Sequence, residues 1–214
     1  MKIFFTLIIL TIFSSLSCQK SVKPNKKEFE GKIIYEISVI SKTNEITTEE
    51  LQKIYGTKMT KYFKGGNFKM KYNGEDIQEI YYLQKENSEF DIRKGIDSLF
   101  VTSYETENRK LKKSIFEKSE IIILRKKCSL LIHETENIKN YYWYNQSLFI
   151  NPENYKESKF GFTNIYYEQT SSAWLKFKFQ GENIEINYTA ISIEEEKVDN
   201  SKFNLPQLPK SYYR

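Results

Sequence analysis

Histidine, cysteine and alanine are nearly missing from this 214-residue chain, which carries only His133, the pair Cys18 and Cys128, and the pair Ala173 and Ala190. Two cysteines exclude a disulfide-stapled scaffold, and one histidine excludes a His-rich metal centre. Scarce alanine argues against a helical bundle. What is abundant points elsewhere: 16 Tyr and 15 Phe bring the aromatic share to 15%, far more burial than a disordered chain carries. Tyr, Phe and Ile suit a pleated, half-buried surface. The length suits one domain with a sizeable core, and the net charge is +5.

The first residues read as an export signal. Lys2 precedes an apolar run, Ile3 to Phe13, followed by Ser14, Ser15 and Leu16-Ser17-Cys18. Such a run reaches about 16 Å as a helix, short of the roughly 30 Å of a hydrocarbon core. A charged start, an apolar middle and a small-residue end make a secretory leader. Ser17-Cys18 resembles the lipobox of bacterial lipoproteins, although Leu16 stands one place nearer the cysteine than usual. That resemblance implies cleavage of residues 1–17 and acylation of Cys18. Residues 18–28 then read as a lipidated cysteine and a flexible tether, and 29–214 as the folded domain. Gln19, where an Asp would imply inner-membrane retention, favours an outer-membrane anchor facing the periplasm rather than the cell surface. Lys20, Lys23, Lys26 and Lys27 on the tether fit either a soluble spacer in a lysine-rich sequence or a contact worth about 1 kcal/mol each against an anionic leaflet.

From Phe29 the pattern has period two, with Phe29, Gly31, Ile33, Tyr35, Ile37 and Val39 on one face, which predicts a strand with one buried side. Thr47-Thr48-Glu49-Glu50 predicts a capping box and a short helix stopping near Gly56. Gly65-Gly66 and Asn73-Gly74 predict hairpin turns, the first joining strands 58–64 and 67–72. Further runs at 77–83, 90–93, 98–102, 114–117, 121–124, 128–133, 140–144, 174–180 and 184–193 bring the expectation to ten to twelve strands without βαβ alternation. The fold class expected is mainly β, a single antiparallel sheet with one or two short helices. Pro152 to Ser172 shows no period and reads as a long loop or a lid.

Chemistry is thinly supplied. Any Ser-His-Asp or Cys-His mechanism must use His133, and Cys128, five residues earlier, points to the opposite face of an extended strand. No Gly-x-Ser-x-Gly elbow is present. Glu194-Glu195-Glu196 with Asp199 lacks calcium-loop spacing. The basic runs around Arg109 and Arg125 are interspersed with acidic residues, so no nucleic-acid partner is expected. The reading is of a non-enzyme with no cofactor and no metal. The aromatic positions carry the functional hint, because a sheet with rings on both faces must cover one and can leave the other as an apolar concavity.

Four stretches resemble a family of uncharacterised Gram-negative cell-envelope proteins. They are Phe29-Glu30-Gly31-Lys32-Ile33-Ile34-Tyr35-Glu36; Lys58 to Gly65 followed by Lys69-Met70; the strand reaching Lys127-Cys128 with Tyr142-Trp143-Tyr144 downstream; and Val198-Asp199 with Phe203-Asn204-Leu205-Pro206. Arg125-Lys126 departs from that family's Gly-Tyr before Lys-Cys. The related Gly-Leu-Pro-Gly-Leu-Ile family is the second choice, although its motif is absent. The first family is similar to the lipoprotein carriers LolA and LolB, which implies a curled half-barrel. The function expected is non-catalytic binding of a lipid or acyl chain on the concave face, with Phe63, Met70, Trp143 and Phe177 as candidate ligand contacts. The alternative is a structural lipoprotein with a filled aromatic core and a protein partner.

Overall fold

The alternation that opens at Phe29 builds the central strand of the sheet. The computed structural model describes residues 26–212, so the expected leader and Cys18 lie outside the described residues. The first half comprises β1 (Gly31–Ser41), α1 (Thr48–Tyr55), β2 (Lys58–Lys64), β3 (Asn67–Tyr72), β4 (Ile77–Leu83), β5 (Ser88–Arg93) and β6 (Leu99–Ser103). The second comprises β7 (Lys113–Glu117), a small hairpin of β8 (Ile122–Ile123) and β9 (Lys126–Lys127), β10 (Ser129–Glu134), β11 (Lys139–Phe149), α2 (Thr163–Thr170), β12 (Ser172–Gln180) and β13 (Ile184–Glu195). A last strand, β14 (Lys210–Tyr212), closes the order.

Twelve of these strands form one sheet in the order β14-β6-β5-β4-β3-β2-β1-β13-β12-β11-β10-β7. The chain therefore walks outward from β1 to β6, jumps to the far edge at β7, and walks back until β13 pairs with β1. That jump dictates the shape. In a flat sheet, β6 and β7 would stand ten strand spacings apart, about 48 Å. The link from Ser103 to Lys113 reaches at most about 36 Å when fully extended. The sheet must curl to bring its edges together, and it does so without closing, since β7 and β14 remain at its two edges.

The local signals are met where the sequence placed them. Gly65 and Gly66 turn with φ of 53° and 81°, the positive pair a two-residue hairpin requires. On α1 the Thr47 hydroxyl accepts from the Glu50 N–H at 3.1 Å, and the Thr47 N–H donates to Glu50 Oε2 at 2.8 Å. Gly56 ends the helix with φ 74° and its N–H on the Gln52 carbonyl. A side chain at Gly56 would collide with Asn73 and Gly74, so the end of α1 is pressed against the next hairpin.

Two elements differ from expectation. β14 runs parallel to β6, Lys210 beside Leu99, which makes the sheet mixed rather than wholly antiparallel. The stretch Pro152–Ser172 contains the 3-10 turns Pro152–Tyr155 and Phe160–Phe162 and then α2, with Tyr155, Phe162, Tyr166 and Tyr167 buried. It packs on the face that carries Ile33, Tyr35, Ile37 and Val39, here called the inner face. Order also begins within the stretch 18–28 that its composition marks as a tether. Glu28 accepts from the Asn151 N–H and Asn154 Nδ2 at 3.0 Å each, and the Phe29 N–H donates to the Phe149 carbonyl at 2.7 Å.

Candidate functional site: an aromatic cavity under the second helix

Curling brings alternate residues of the central strands toward one another, and α2 covers them. On β2 the inner residues are Met59, Lys61 and Phe63, and on β3 they are Phe68, Met70 and Tyr72, with Phe63 opposite Phe68 and Lys61 opposite Met70. From the other half come Tyr188 on β13 and Phe177 on β12, which face each other, and Tyr142 on β11 opposite Phe177. Between these strands and α2 lies a cavity of about 210 Å³, partly open to solvent. Its wall is completed by Thr163, Tyr166 and Tyr167 from the covering segment, and by Trp174, Glu89 and Tyr104.

The rings form a continuous frame. Phe177 contacts Tyr142 at 5.0 Å, Trp174 at 5.5 Å and Tyr188 at 6.0 Å. Tyr142 meets Tyr166 of α2 at 4.5 Å. On the other side, Phe68, Tyr82, Tyr155 and Tyr167 follow one another at 5.0, 5.6 and 4.0 Å, carrying the contact from β3 through β4 to α2. These separations suit offset or tilted pairs. The Tyr82 and Ser158 hydroxyls bond each other, and Asn87 Oδ1 accepts from the pair, 3.1 Å from Tyr82 and 2.8 Å from Ser158, which ties the covering segment to the sheet.

Lys61 is the outlier in this wall. It is only 5% exposed, and its ammonium lies 4.0 Å from the Phe68 ring centre, 5.1 Å from Phe63 and 5.2 Å from Trp174. No carboxylate among the described residues forms an ion pair with it. Burial pulls its pKa down to about 7, with Glu89 partly opposing. The carboxyl of Glu89 accepts from the Tyr104 hydroxyl at 2.6 Å. Burial, and then the neighbouring Asp91, push Glu89 well above the usual carboxylate range. Asp91 is raised too, by burial, against the pull of Arg93 and a hydrogen bond with Glu89.

Of the four residues the sequence singled out, Met70 and Phe177 line the cavity. Phe63 shares their face, beside Lys61, with its ring edge-on to Phe29 at 5.7 Å. Trp143 is not brought together with them. Its side chain alternates with the inner-facing Tyr142 and packs on the outer face, stacked on Tyr141 at 6.0 Å with Lys176 Nζ 5.0 Å from its ring. His133 reaches α2, its Nε2 3.1 Å from Gln169 Oε1, which also accepts from Ser114 at 2.8 Å. Burial holds it below the ordinary histidine range. Cys128 is buried, and burial raises its thiol. Sequence reasoning missed Lys61 and Glu89. The signal was available in Met59-x-Lys61-x-Phe63, a lysine at an apolar period-two position.

A second feature lies at the end of β11. Lys26, the first described residue, donates to the Gln146 carbonyl at 2.9 Å. Its neighbours Asn145 and Ser147 bond the β8–β9 hairpin, through the Lys127 carbonyl at 2.7 Å and Lys126 Nζ at 2.9 Å. That hairpin exposes Ile122 at 67% and Leu124 at 40% beside Arg125 and Lys127. No described helix is long and apolar enough to cross a membrane.

No family model and no curated protein matches the chain. Among solved structures, PNGF-II in two crystal forms is similar over 86% of this chain, at 14% identity and TM-scores of 0.48 and 0.47. An uncharacterized conserved protein from Thermus thermophilus is similar over 86% of this chain and 91% of its own, at 6% identity and a TM-score of 0.42. The chain spans about a third of the PNGF-II chain.

Proposed function

We propose that this protein is an envelope lipoprotein that holds a small apolar molecule on the inner face of its curled sheet, by burial and without reaction. The observation that carries this reading is the cavity bounded by Met70, Tyr72, Trp174, Phe177 and Tyr188 under α2. Its volume of about 210 Å³ narrows the class of ligand. An apolar cavity of about 150 Å³ takes a benzene ring, whereas drug-sized ligands need about 300–1,000 Å³. The occupant is a single ring or the end of an acyl chain, not a whole diacyl lipid. Burying a ring of that size removes about 200 Å² of apolar surface, worth roughly 5 kcal/mol. Isothermal titration with toluene is expected to show one saturable site with a dissociation constant on the order of 0.1–1 mM. Absence of saturable heat up to the solubility limit counts against the reading.

Lys26 is held at Gln146, and the hairpin bound to the neighbouring Asn145 and Ser147 presents Ile122 and Leu124 beside Arg125, Lys126 and Lys127, the last paired with Glu120. A lipid-modified Cys18 would place that end toward an anionic leaflet, where apolar tips and lysines both gain. In a Gram-negative host the protein is expected in the outer-membrane fraction, and Cys18→Ser is expected to release it to the soluble periplasm. Wild-type protein recovered soluble would remove the anchor from the account.

A further inference from the structure

The cavity wall contains one group that an apolar ligand would leave unanswered, the Lys61 ammonium. We infer that the molecule held there is a small hydrophobic monocarboxylic acid, with its carboxylate on Lys61 Nζ and its ring or short chain among Met70, Phe177 and Tyr188. This rests on the cavity-binding reading above and specifies its ligand.

Three observations carry it. First, Lys61 is buried and lines the cavity, with aromatic faces instead of a counter-ion around it. A buried ammonium without a hydrogen-bonded anion is costly, and a ligand carboxylate supplies both charge and acceptors. Second, Lys61 is the one cation among the described residues of the lining, and three of the lining hydroxyls are engaged within the protein. The Tyr166 hydroxyl donates to the Ser172 carbonyl at 2.9 Å, Thr163 to the Phe160 carbonyl at 2.8 Å and Tyr104 to Glu89 at 2.6 Å. The other lining hydroxyls are neutral, so the lysine is the donor that also answers a ligand's charge. Third, the one carboxyl in the wall does not cancel the lysine. Glu89 is engaged by Tyr104, and burial beside Asp91 favours its neutral form. A cationic ligand, which an aromatic frame would otherwise suit, meets the Lys61 charge in the same space. An anion meets its complement.

The test compares acids with neutral isosteres on the purified protein at pH 6.5. The probes are 3-phenylpropionate against 3-phenylpropanamide, and hexanoate against hexanamide. Each acid is expected to bind at least tenfold more tightly than its amide. In Lys61→Met that preference is expected to vanish, with amide binding retained within about threefold. Equal binding of acid and amide by the wild type would overturn this inference while leaving the apolar-cavity reading in place. Acid preference undiminished in Lys61→Met would overturn the assignment to Lys61. Failure of both acids and amides to bind would overturn the cavity reading with it.

Discussion

Replacing Lys61 with methionine is expected to make the protein more stable, by about 2–4 kcal/mol at pH 6. Burial lowers the lysine from 10.5 in the unfolded chain to about 7 in the fold, and each unit is about 1.4 kcal/mol. The gross cost of keeping the charged form buried is therefore about 5 kcal/mol. Rings of Phe68, Phe63 and Trp174 around the ammonium return up to about 2 kcal/mol. Methionine fits the same slot and keeps a sulfur–ring contact. The sign follows from proton counting. Between pH 7 and 10.5 the unfolded state binds the extra proton, so wild-type stability gains as pH rises through that window. The advantage of the variant is full below pH 7 and fades toward pH 10.5. Glu89 and Asp91, raised by burial, act in the opposite sense, because their buried charge costs stability as pH rises. The phenols of Tyr72, Tyr104, Tyr142, Tyr166, Tyr167 and Tyr188 are all raised and stay neutral across most of the window. Urea denaturation of variant and wild type at pH 6, 8 and 10 reads the difference. A variant less stable at pH 6 would mean that Lys61 is a packing element rather than a binding group.

The second large effect is expected at Tyr82. Its ring is fully buried between Phe68, Tyr104 and Tyr155, and it joins the sheet to the segment that carries α2. Tyr82→Ala removes a ring from the middle of that ladder and is expected to cost about 3–5 kcal/mol. It is also expected to abolish toluene binding, since the cover loses its footing. Tyr82→Phe keeps the ring and loses only the hydroxyl. Ser158 still donates to Asn87 Oδ1 at 2.8 Å, so no partner is stranded, and the cost is expected near ~1 kcal/mol. Thermal melts of the two variants separate these contributions. Equal losses for Ala and Phe would show that the hydroxyl, and not the ring ladder, holds the cover.

The strands were readable because one-sided burial leaves a period of two, as in β1, and because Gly65-Gly66 and the Thr47 capping box have a local chemistry that tertiary contacts did not override. α2 was not readable. Its ends at Phe162 and Ser171 are left-handed, with φ of 60° and 47°, and its N-terminus has no side-chain cap, so the usual start and stop signals are missing. It is held by its buried tyrosines instead. Trp143 shows a different limit. In Tyr141-Tyr142-Trp143-Tyr144 both parities are aromatic, and a one-residue choice of parity assigns every ring to the opposite face. Only the partner strands decide it, with Tyr142 facing Phe177 and Trp143 facing Lys176. β14 pairs parallel with a strand more than a hundred residues earlier, a contact that no local pattern announces. Lys61 was hidden differently, as one lysine among Lys58, Lys61 and Lys64 on the same strand. Its inward position became visible only by its parity with Met59 and Phe63.

The central claim is that the inner-face rings frame a space that a small apolar molecule can enter. A crystal structure of the protein under xenon pressure tests it most directly, because xenon occupies apolar cavities of this size. Ordered xenon is predicted among Met70, Trp174, Phe177 and Tyr188. A xenon-free inner face, with Trp174 and Met70 folded together to fill the space, would contradict it.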